Sequence, residues 1–298
     1  MNRAREVLVC VSRSSGGMKR GQSEADEIRG ALAAAGVEAQ VELHTGAGIV
    51  QRAKAAVDEG ADLLIVGGGD GSVSAAAGAL AGSATALGIL PLGTLNHFAR
   101  DLGIPFDPDA AARLIAQGRD RRVDVAEVNG RVFINNSAVG LYPLMVRDRE
   151  AQRSKLGRSK RWAMAVAAVR TLLRFSSQRL VLTVNKERAR VDTPLLFVGN
   201  NAYRLEMPGA GTRERLDGGE LCVVLLRRKS RFGFCSAVAR ALVGRDRTTD
   251  LEHMDGVRQL KVDSPHASLA ISVDGETERF EPPLVYRIRP GALRVIAP

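Results

Sequence analysis

The chain has 298 residues, of which 45% are hydrophobic and 26% are charged, a composition typical of a globular protein large enough for two domains. No apolar run approaches the ~20 residues that cross a bilayer, which excludes a protein with helical membrane spans. The polar N-terminus does not resemble a signal peptide, and three scattered cysteines, Cys10, Cys222 and Cys235, favour a reducing compartment. We therefore expect a cytoplasmic protein.

The net charge of +10 is concentrated in one part of the chain. Residues 147–190 hold thirteen Lys or Arg and three Asp or Glu, whereas basic and acidic residues balance elsewhere. A local positive patch suits an anionic membrane surface or nucleic acid, and a solvated charged loop is the common alternative. Aromatic residues make up 4% of the chain and no helix-turn-helix or RNA-recognition signature is present, so we expect no nucleic-acid partner.

The first 120 residues alternate between apolar strands and helices. The pattern predicts strands over 6–11, 37–43, 63–66 and 86–90, and helices over 23–35, 49–59, 75–80 and 109–117. Such a series predicts a parallel sheet with helices on both faces. Ligands of these sheets bind beyond the carboxyl ends of the strands, where the loops of this half of the chain fall.

The loop after the third strand is unusually rich in glycine. It reads Gly67, Gly68, Gly69, Asp70, Gly71 and Ser72. A strand, a glycine-rich turn and a helix N-terminus form a cradle for phosphate, because unpaired N–H groups and the positive end of the helix dipole point at the anion. A tight turn is the alternative, but three successive glycines cost more chain entropy than a turn requires.

This loop matches neither common phosphate-binding motif. A P-loop needs a lysine that the stretch lacks, and a dinucleotide fingerprint needs Gly or Ala where Ser72 stands. Residues 68–72 instead resemble the Gly-Gly-Asp-Gly-Thr loop of the soluble diacylglycerol kinase catalytic-domain family, which includes sphingosine kinases and is similar to NAD kinases and phosphofructokinases in its nucleotide-binding part. That family continues x-Asn-Glu, whereas this chain has Ser74 and Ala75 in those places.

A second stretch follows the next strand, at 91–100. Taken physically, Gly93 makes the turn and Thr94 caps a short helix. The stretch also resembles the family's second signature, Gly-Thr-x-Asn-Asp-Phe-Ala, with His97 where Asp is common. The resemblance implies that Thr94 and Asn96 line the nucleotide site. Two signatures in order on successive strand ends are more specific than either alone.

Two earlier loops add candidate nucleotide contacts. Ser15 and Gly16 follow the first strand and resemble part of the family's Asn-Pro-x-Ser-Gly loop. Thr45 follows the second strand, where the family often places a Thr near the nucleotide, and an ordinary turn residue is the equal alternative. Within the glycine loop, the resemblance implies that Asp70 holds Mg²⁺ with ATP, directly or through water.

The pattern changes near residue 122. Two alternating stretches flank Asn129 and Gly130, a strong hairpin signal, and short strands then dominate over 180–184, 189–191, 195–198, 221–226, 260–262 and 267–273. We predict a nucleotide-binding α/β domain over 1–122, and residues 291–298 are a candidate to complete it. An antiparallel β-sandwich domain for the lipid substrate is predicted over 123–290. Helices are predicted over 162–175, either in the core or at a membrane interface, and over 232–243.

Two further segments resemble family segments in the second domain. They are Gly-Asn-Asn-Ala-Tyr at 199–203 and Leu-Asp-Gly-Gly at 216–219. Bacterial relatives with a second Asp in the latter use it at a structural Mg²⁺ site. Gly218 stands there in this chain, so we predict no metal at that position.

Near the C-terminus, Asp274, Gly275 and Glu276 lie between alternating residues, which predicts a type I′ hairpin turn. The family has an Asp-Gly-Glu here whose Glu is the proposed general base, a role that the resemblance assigns to Glu276. The whole resemblance implies ATP- and Mg²⁺-dependent phosphorylation of a lipid hydroxyl, on diacylglycerol or a related lipid, at an anionic membrane surface met by the basic 147–190 segment. A sphingosine or long-chain-base kinase, or a catalytically weakened regulatory relative, is the alternative.

Overall fold

A computed structural model of the protein describes residues 7–12, 18–140, 177–203, 212–226 and 251–298. The predicted helices over 162–175 and 232–243 lie outside the described residues, as does the basic segment up to residue 176. Within the described part, no helix is both long and apolar enough to cross a membrane.

The first layer of the molecule is a parallel sheet flanked by helices. In chain order its elements are β1 (Val7–Ser12), α1 (Met18–Ala34), β2 (Val41–His44), α2 (Gly46–Asp58), β3 (Leu63–Gly68), α3 (Asp70–Leu80), β4 (Ala86–Pro91), α4 (His97–Asp101) and α5 (Pro108–Gln117). The strands run in the order β2-β1-β3-β4, all parallel. Every residue of β3 and β4 is buried, as expected for strands covered on both faces. The predicted α/β layer is confirmed.

The remaining described elements are strands. They are β5 (Arg119–Val128), β6 (Arg131–Phe133), β7 (Asn136–Gly140), β8 (Gln178–Val184), β9 (Glu187–Thr193), β10 (Leu195–Asn200), β11 (Leu221–Leu226), β12 (Leu251–Val257), β13 (Gln259–Asp263), β14 (Leu269–Val273), β15 (Glu276–Phe280) and β16 (Leu284–Ala297). A mostly antiparallel sheet, β12-β11-β10-β7-β14-β15, shares one hydrophobic core with β13, β8 and part of β16. This confirms the predicted β-sandwich.

The long strand β16 joins the two layers. Its first half pairs with β13, and its second half pairs in parallel with β4 through Val295 and Leu87. The strand passes from one hydrophobic core to the other: Ile288 packs in the sandwich core, and Leu293 packs in the α/β core. Between them the pairing register with β5 shifts, and Gly291 adopts a positive φ of 57° that suits glycine.

Local sequence signals succeed at the hairpins and fail at some helix starts. Asn129 and Gly130 both have positive φ, as do Asp274 and Gly275, so the hairpin predicted at the first pair and the type I′ turn predicted at the second are both present. In contrast α3 begins at Asp70, five residues before the predicted start. The low helix propensity of glycine hides this first turn, and packing between the sheet and its helix overrides that propensity.

Candidate functional site

The glycine loop delivers a helix N-terminus to the carboxyl edge of the sheet. β3 ends at Gly68, Gly69 is extended, and α3 begins at Asp70. The amides of Ser72 and Val73 donate to the Gly69 carbonyl, whereas a helix leaves its first N–H groups without helical partners. A Cβ on Gly71 would meet no atom within 4 Å, so the approach to this N-terminus is open. The geometry suits an anion such as phosphate.

The two signature loops touch through their backbones. The amide of Leu92 donates to the Gly68 carbonyl at 3.0 Å. A Cβ on Gly93 would lie 2.5 Å from the Cα of Gly69 and 2.6 Å from Oδ1 of Asn96, which is sterically forbidden. Glycine at 93 is therefore required for the loops after β3 and β4 to pack as one surface.

Asn96 shapes the second loop. It adopts a left-handed conformation with φ 49° and is 6% exposed. Its Oδ1 accepts from the Gly93 amide at 3.0 Å, and its Nδ2 donates to the carbonyls of Gly93 and Pro91 at 2.8 and 3.3 Å. Asn96, and not Thr94, is the residue that immediately precedes α4, so the capping role predicted for Thr94 is wrong. Thr94 instead stands exposed beside the cradle.

Asp70 connects the two loops through one of its carboxylate oxygens. Its Oδ1 accepts from the Phe98 amide in the first turn of α4, at 3.4 Å. Within the described residues its Oδ2 accepts no protein hydrogen bond. A half-buried carboxylate next to a helix N-terminus that suits phosphate fits Mg²⁺, which usually binds one or two carboxylates together with substrate phosphates. No group of three described His, Cys, Asp or Glu side chains is placed to hold a metal by itself.

The other residues predicted to contact the nucleotide are Thr45, Ser15 and Gly16. Thr45 is the N-cap of α2, where its Oγ1 accepts from the Gly48 amide at 3.3 Å. This contact gives Thr45 a structural role at the end of β2. Ser15 and Gly16 lie outside the described residues.

The two residues between β6 and β7, together with the first residue of β7, form a segment that contacts both the helix of the glycine loop and the sandwich. We call Ile134, Asn135 and Asn136 the bridging segment. All three of its amides donate to the carboxylate of Asp274, at 2.9, 2.8 and 3.1 Å in chain order. The Asn136 carbonyl accepts from the Asp274 amide at 2.8 Å. Burial raises the pKa of the Asp274 carboxyl, and the donated hydrogen bonds oppose that rise.

Asp274 also reaches the helix that carries the cradle. The hydroxyl of Ser74 donates to Oδ2 of Asp274 at 2.5 Å. Ser74 lies one turn along α3 from Asp70. The turn that precedes the candidate base is therefore fixed to the helix of the phosphate cradle.

Glu276 itself stands at the first position of β15. Its side chain is 63% exposed, and Oε2 lies 3.5 Å from Nη2 of Arg131. Arg131 also binds Glu278, with 2.9 Å between Nε and Oε1. An exposed carboxylate held by one arginine is accessible to a substrate hydroxyl.

The opposite side of the bridging segment holds a buried arginine. Arg213 donates to the Ile134 carbonyl at 2.6 Å, to Oδ1 of Asn135 at 2.9 Å and to Asp101 at 2.6 Å. The side chains of Arg213 and Asp101 are 0% and 8% exposed. Since Asp101 ends α4, this ion pair ties the second signature helix to the bridging segment.

Residues 199–203, which resemble the family's Gly-Asn-x-x-Tyr segment, surround the buried side chain of Arg213 on one side. The guanidinium carbon of Arg213 lies 5.1 Å from the centre of the Tyr203 ring, and a Cβ on Gly199 would strike that ring at 2.5 Å. The side-chain amide of Asn200 donates to the Ile134 carbonyl at 3.0 Å. The backbone amide of Asn200 donates to the Asn135 carbonyl at 2.9 Å.

Gly218 has a packing role in the neighbouring loop. Its amide donates to Oδ1 of Asn201 at 2.8 Å, and a Cβ on residue 218 would lie 2.8 Å from the same oxygen. Asp217 forms an exposed pair with Arg215. The Gly219 amide donates to the buried carboxylate of Asp124 at 2.7 Å.

Ser74, Asp101 and Arg213 are site-forming residues that the sequence reasoning did not single out. Arg213 lies among the alternating charges of Thr-Arg-Glu-Arg, a pattern typical of an exposed loop. No local signal marks it as buried. Ser74 departs from the family pattern, and that departure is the one available hint.

Comparison with known proteins places this geometry in a family. The diacylglycerol kinase catalytic domain model matches residues 6–128, and the model of the YegS C-terminal NAD kinase beta sandwich-like domain matches residues 145–297. A protein named "Probable lipid kinase YegS-like" from Chromohalobacter salexigens is 30% identical over 265 residues, which cover 84% of this chain and 80% of the relative. The chain belongs to the YegS-like lipid kinase family.

Other relatives of the same name match over shorter regions. The protein from Pseudomonas aeruginosa is 43% identical over 126 residues, or 40% of this chain, and that from Cronobacter sakazakii is 38% identical over 104 residues, or 34% of this chain. In these matches the chain spans 41% and 35% of the length of the relatives.

Solved structures share the fold. A crystal structure of a diacylglycerol kinase from Bacillus anthracis superposes with a TM-score of 0.74 at 23% identity, covering 99% of this chain and 97% of that one. Yeast NADH kinase superposes with a TM-score of 0.56 at 11% identity, covering 100% of this chain and 84% of that one. These similarities concern the fold alone.

Replacing Gly93 by Ala should disrupt the junction of the two signature loops. The new Cβ meets backbone that cannot move alone, so we expect a loss of about 1–3 kcal/mol in the free energy of unfolding and weaker binding of ATP. Urea unfolding and calorimetric titration measure the two effects. Gly30→Ala is the control, because a Cβ there meets no atom within 4 Å and alanine favours a helix. Equal effects of the two substitutions would contradict the proposed backbone contact.

Replacing Arg213 by Met should strongly destabilise the protein, because it leaves Asp101 buried without its partner. We expect a loss of roughly 3–5 kcal/mol in urea unfolding, partly recovered by adding Asp101→Asn. Arg215→Met, two residues away, removes only an exposed pair and should cost at most ~1 kcal/mol. A loss for Arg213→Met no larger than that of the control would show that the buried pair is not formed.

Proposed function

We propose that this protein transfers the γ-phosphoryl group of ATP to the hydroxyl of a lipid, diacylglycerol or a related lipid alcohol. The observation that carries the proposal is the joint attachment of Asp70 and the Glu276 turn to one helix, α3, whose N-terminus forms the phosphate cradle. Membership of the YegS-like lipid kinase family supports it.

The reaction requires three contributions from the protein: phosphate binding, metal binding and a general base. The helix N-terminus and the glycine amides bind phosphate oxygens. Asp70 would hold Mg²⁺, which when bound neutralises phosphate charge. Glu276 accepts the proton of the lipid hydroxyl as that oxygen attacks phosphorus, because an alcohol is a poor nucleophile until a base removes its proton.

The acceptor brings an additional requirement. A lipid hydroxyl lies at the surface of a bilayer, so the protein must dock there while the acyl chains stay in the membrane. Exposed arginines on the β8–β9 hairpin, Arg179, Arg188 and Arg190, form the described end of the basic 147–190 segment and support docking on anionic lipids. We propose peripheral association with the cytoplasmic face of a membrane.

Transfer of label from γ-labelled ATP to a panel of lipids in anionic mixed micelles with Mg²⁺ tests this function. We expect label on one lipid class, loss of transfer with Asp70→Asn, and a loss of about 10²- to 10⁴-fold with Glu276→Gln. The side-chain amide oxygen that Asp70→Asn introduces can still accept from the Phe98 amide, so the fold should survive. The control is Glu281→Gln, an exposed position beyond the same hairpin.

Two results would count against the proposal. Transfer by Asp70→Asn at the wild-type rate would remove the metal role of this carboxylate. Absence of label on every diacylglycerol, long-chain base and related alcohol, from folded protein that binds ATP, would favour a regulatory relative instead.

A further inference from the structure

The Asp-Gly-Glu turn contains a second carboxylate that the proposed chemistry does not use. Asp274 accepts four hydrogen bonds, from the bridging-segment amides and from Ser74 at 2.5 Å. Its oxygens are thus occupied by the protein. Its own left-handed backbone, with φ 47°, places it at the first central position of the tight turn.

The contact with Ser74 differs from the other three. The amide donors belong to the segment that leads into β7, which already pairs with β14 through Ser137 and Val273. Ser74 belongs to α3, whose first residue is Asp70. Because a helix rises 1.5 Å per residue, Ser74 lies only ~6 Å along the axis from Asp70. Ser74 and Asp274 are 200 positions apart in the chain.

A buried hydroxyl inside a helix has a simpler option. Ser in a helix interior commonly donates to the carbonyl four residues earlier. Ser74 is 4% exposed and donates instead across to Asp274. The contact is charge-assisted, which makes it shorter and stronger than a neutral hydrogen bond.

We propose that Ser74 and Asp274 are positioning residues for the phosphoryl transfer, and that they set the distance between Glu276 and the phosphate cradle. This inference rests on the proposed function. Asp274 precedes Glu276 by two residues in a rigid two-residue turn, so a displacement of its carboxylate relative to α3 displaces the base relative to the bound phosphate. Neither residue touches the reacting atoms.

The role predicts a specific kinetic signature. Ser74→Ala removes one hydroxyl and leaves the cradle, Asp70 and the three amide contacts intact. We expect kcat to fall roughly tenfold to a hundredfold, as misplacement of a catalytic group does, while KM for ATP changes less than twofold. Ser83→Ala is the matched control, since its hydroxyl accepts from the Thr85 amide away from the cradle.

A double-mutant cycle separates positioning from general support of the fold. The variants are Ser74→Ala, Glu276→Gln and the double variant, assayed with the lipid that accepts label. If Ser74 acts through Glu276, adding Ser74→Ala to Glu276→Gln should lower kcat by less than twofold, because the base is already lost. Equal factors in both backgrounds, or wild-type kcat for Ser74→Ala, would overturn the inference.

The cycle also separates this inference from the function on which it rests. If wild-type protein labels no lipid, or Glu276→Gln keeps wild-type kcat, the proposed function or its base fails and the positioning role falls with it. If Glu276→Gln loses activity and Ser74→Ala does not, the base stands and only the positioning role is refuted.

Discussion

The structure depends on how the polar backbone of three consecutive residues, two of them buried and one half-buried, is satisfied. The bridging segment of Ile134, Asn135 and Asn136 lies between the α/β layer and the sandwich, where an unpaired amide or carbonyl would be costly. Its amides all donate to Asp274, and its first two carbonyls accept from Asn200 and, at Ile134, also from Arg213. A negative charge on one side and a positive charge on the other thus hold one short piece of backbone.

Besides the pairing of β16, these two charges connect the second layer to the helices of the first. Asp274 accepts a hydrogen bond from Ser74 of α3, and Arg213 donates one to Asp101 of α4. The helices α3 and α4 begin at the two glycine loops, which touch at Gly69 and Gly93. The orientation of both signature loops is therefore tied to the same segment, and the turn that carries Glu276 shares that attachment. A phosphoryl-transfer site needs this kind of fixed alignment, because its catalysis comes largely from positioning.

Sequence reasoning predicts the parts of this arrangement that have local signals. The apolar run before Gly67, the two type I′ turns and the signature loops each carry their information within about ten residues, and fold class follows from their order. The charges around the bridging segment carry no such information. Arg213 becomes buried only because Tyr203, Asn135 and Asp101 converge on it from distant parts of the chain. The start of α3 is hidden for a related reason, since tertiary packing overrides the low helix propensity of glycine.

Amide hydrogen exchange measures whether Asp274 satisfies the backbone of the bridging segment. We expect the amides of residues 134, 135 and 136 to exchange far more slowly than that of Gly130 at the exposed hairpin apex, and Asp274→Ala to speed the exchange of these three selectively. Exchange of the three amides in wild-type protein as fast as that of Gly130 would contradict their binding to Asp274. So would a uniform acceleration of all amides in the variant, because Asp274 would then support the fold in general and not this segment.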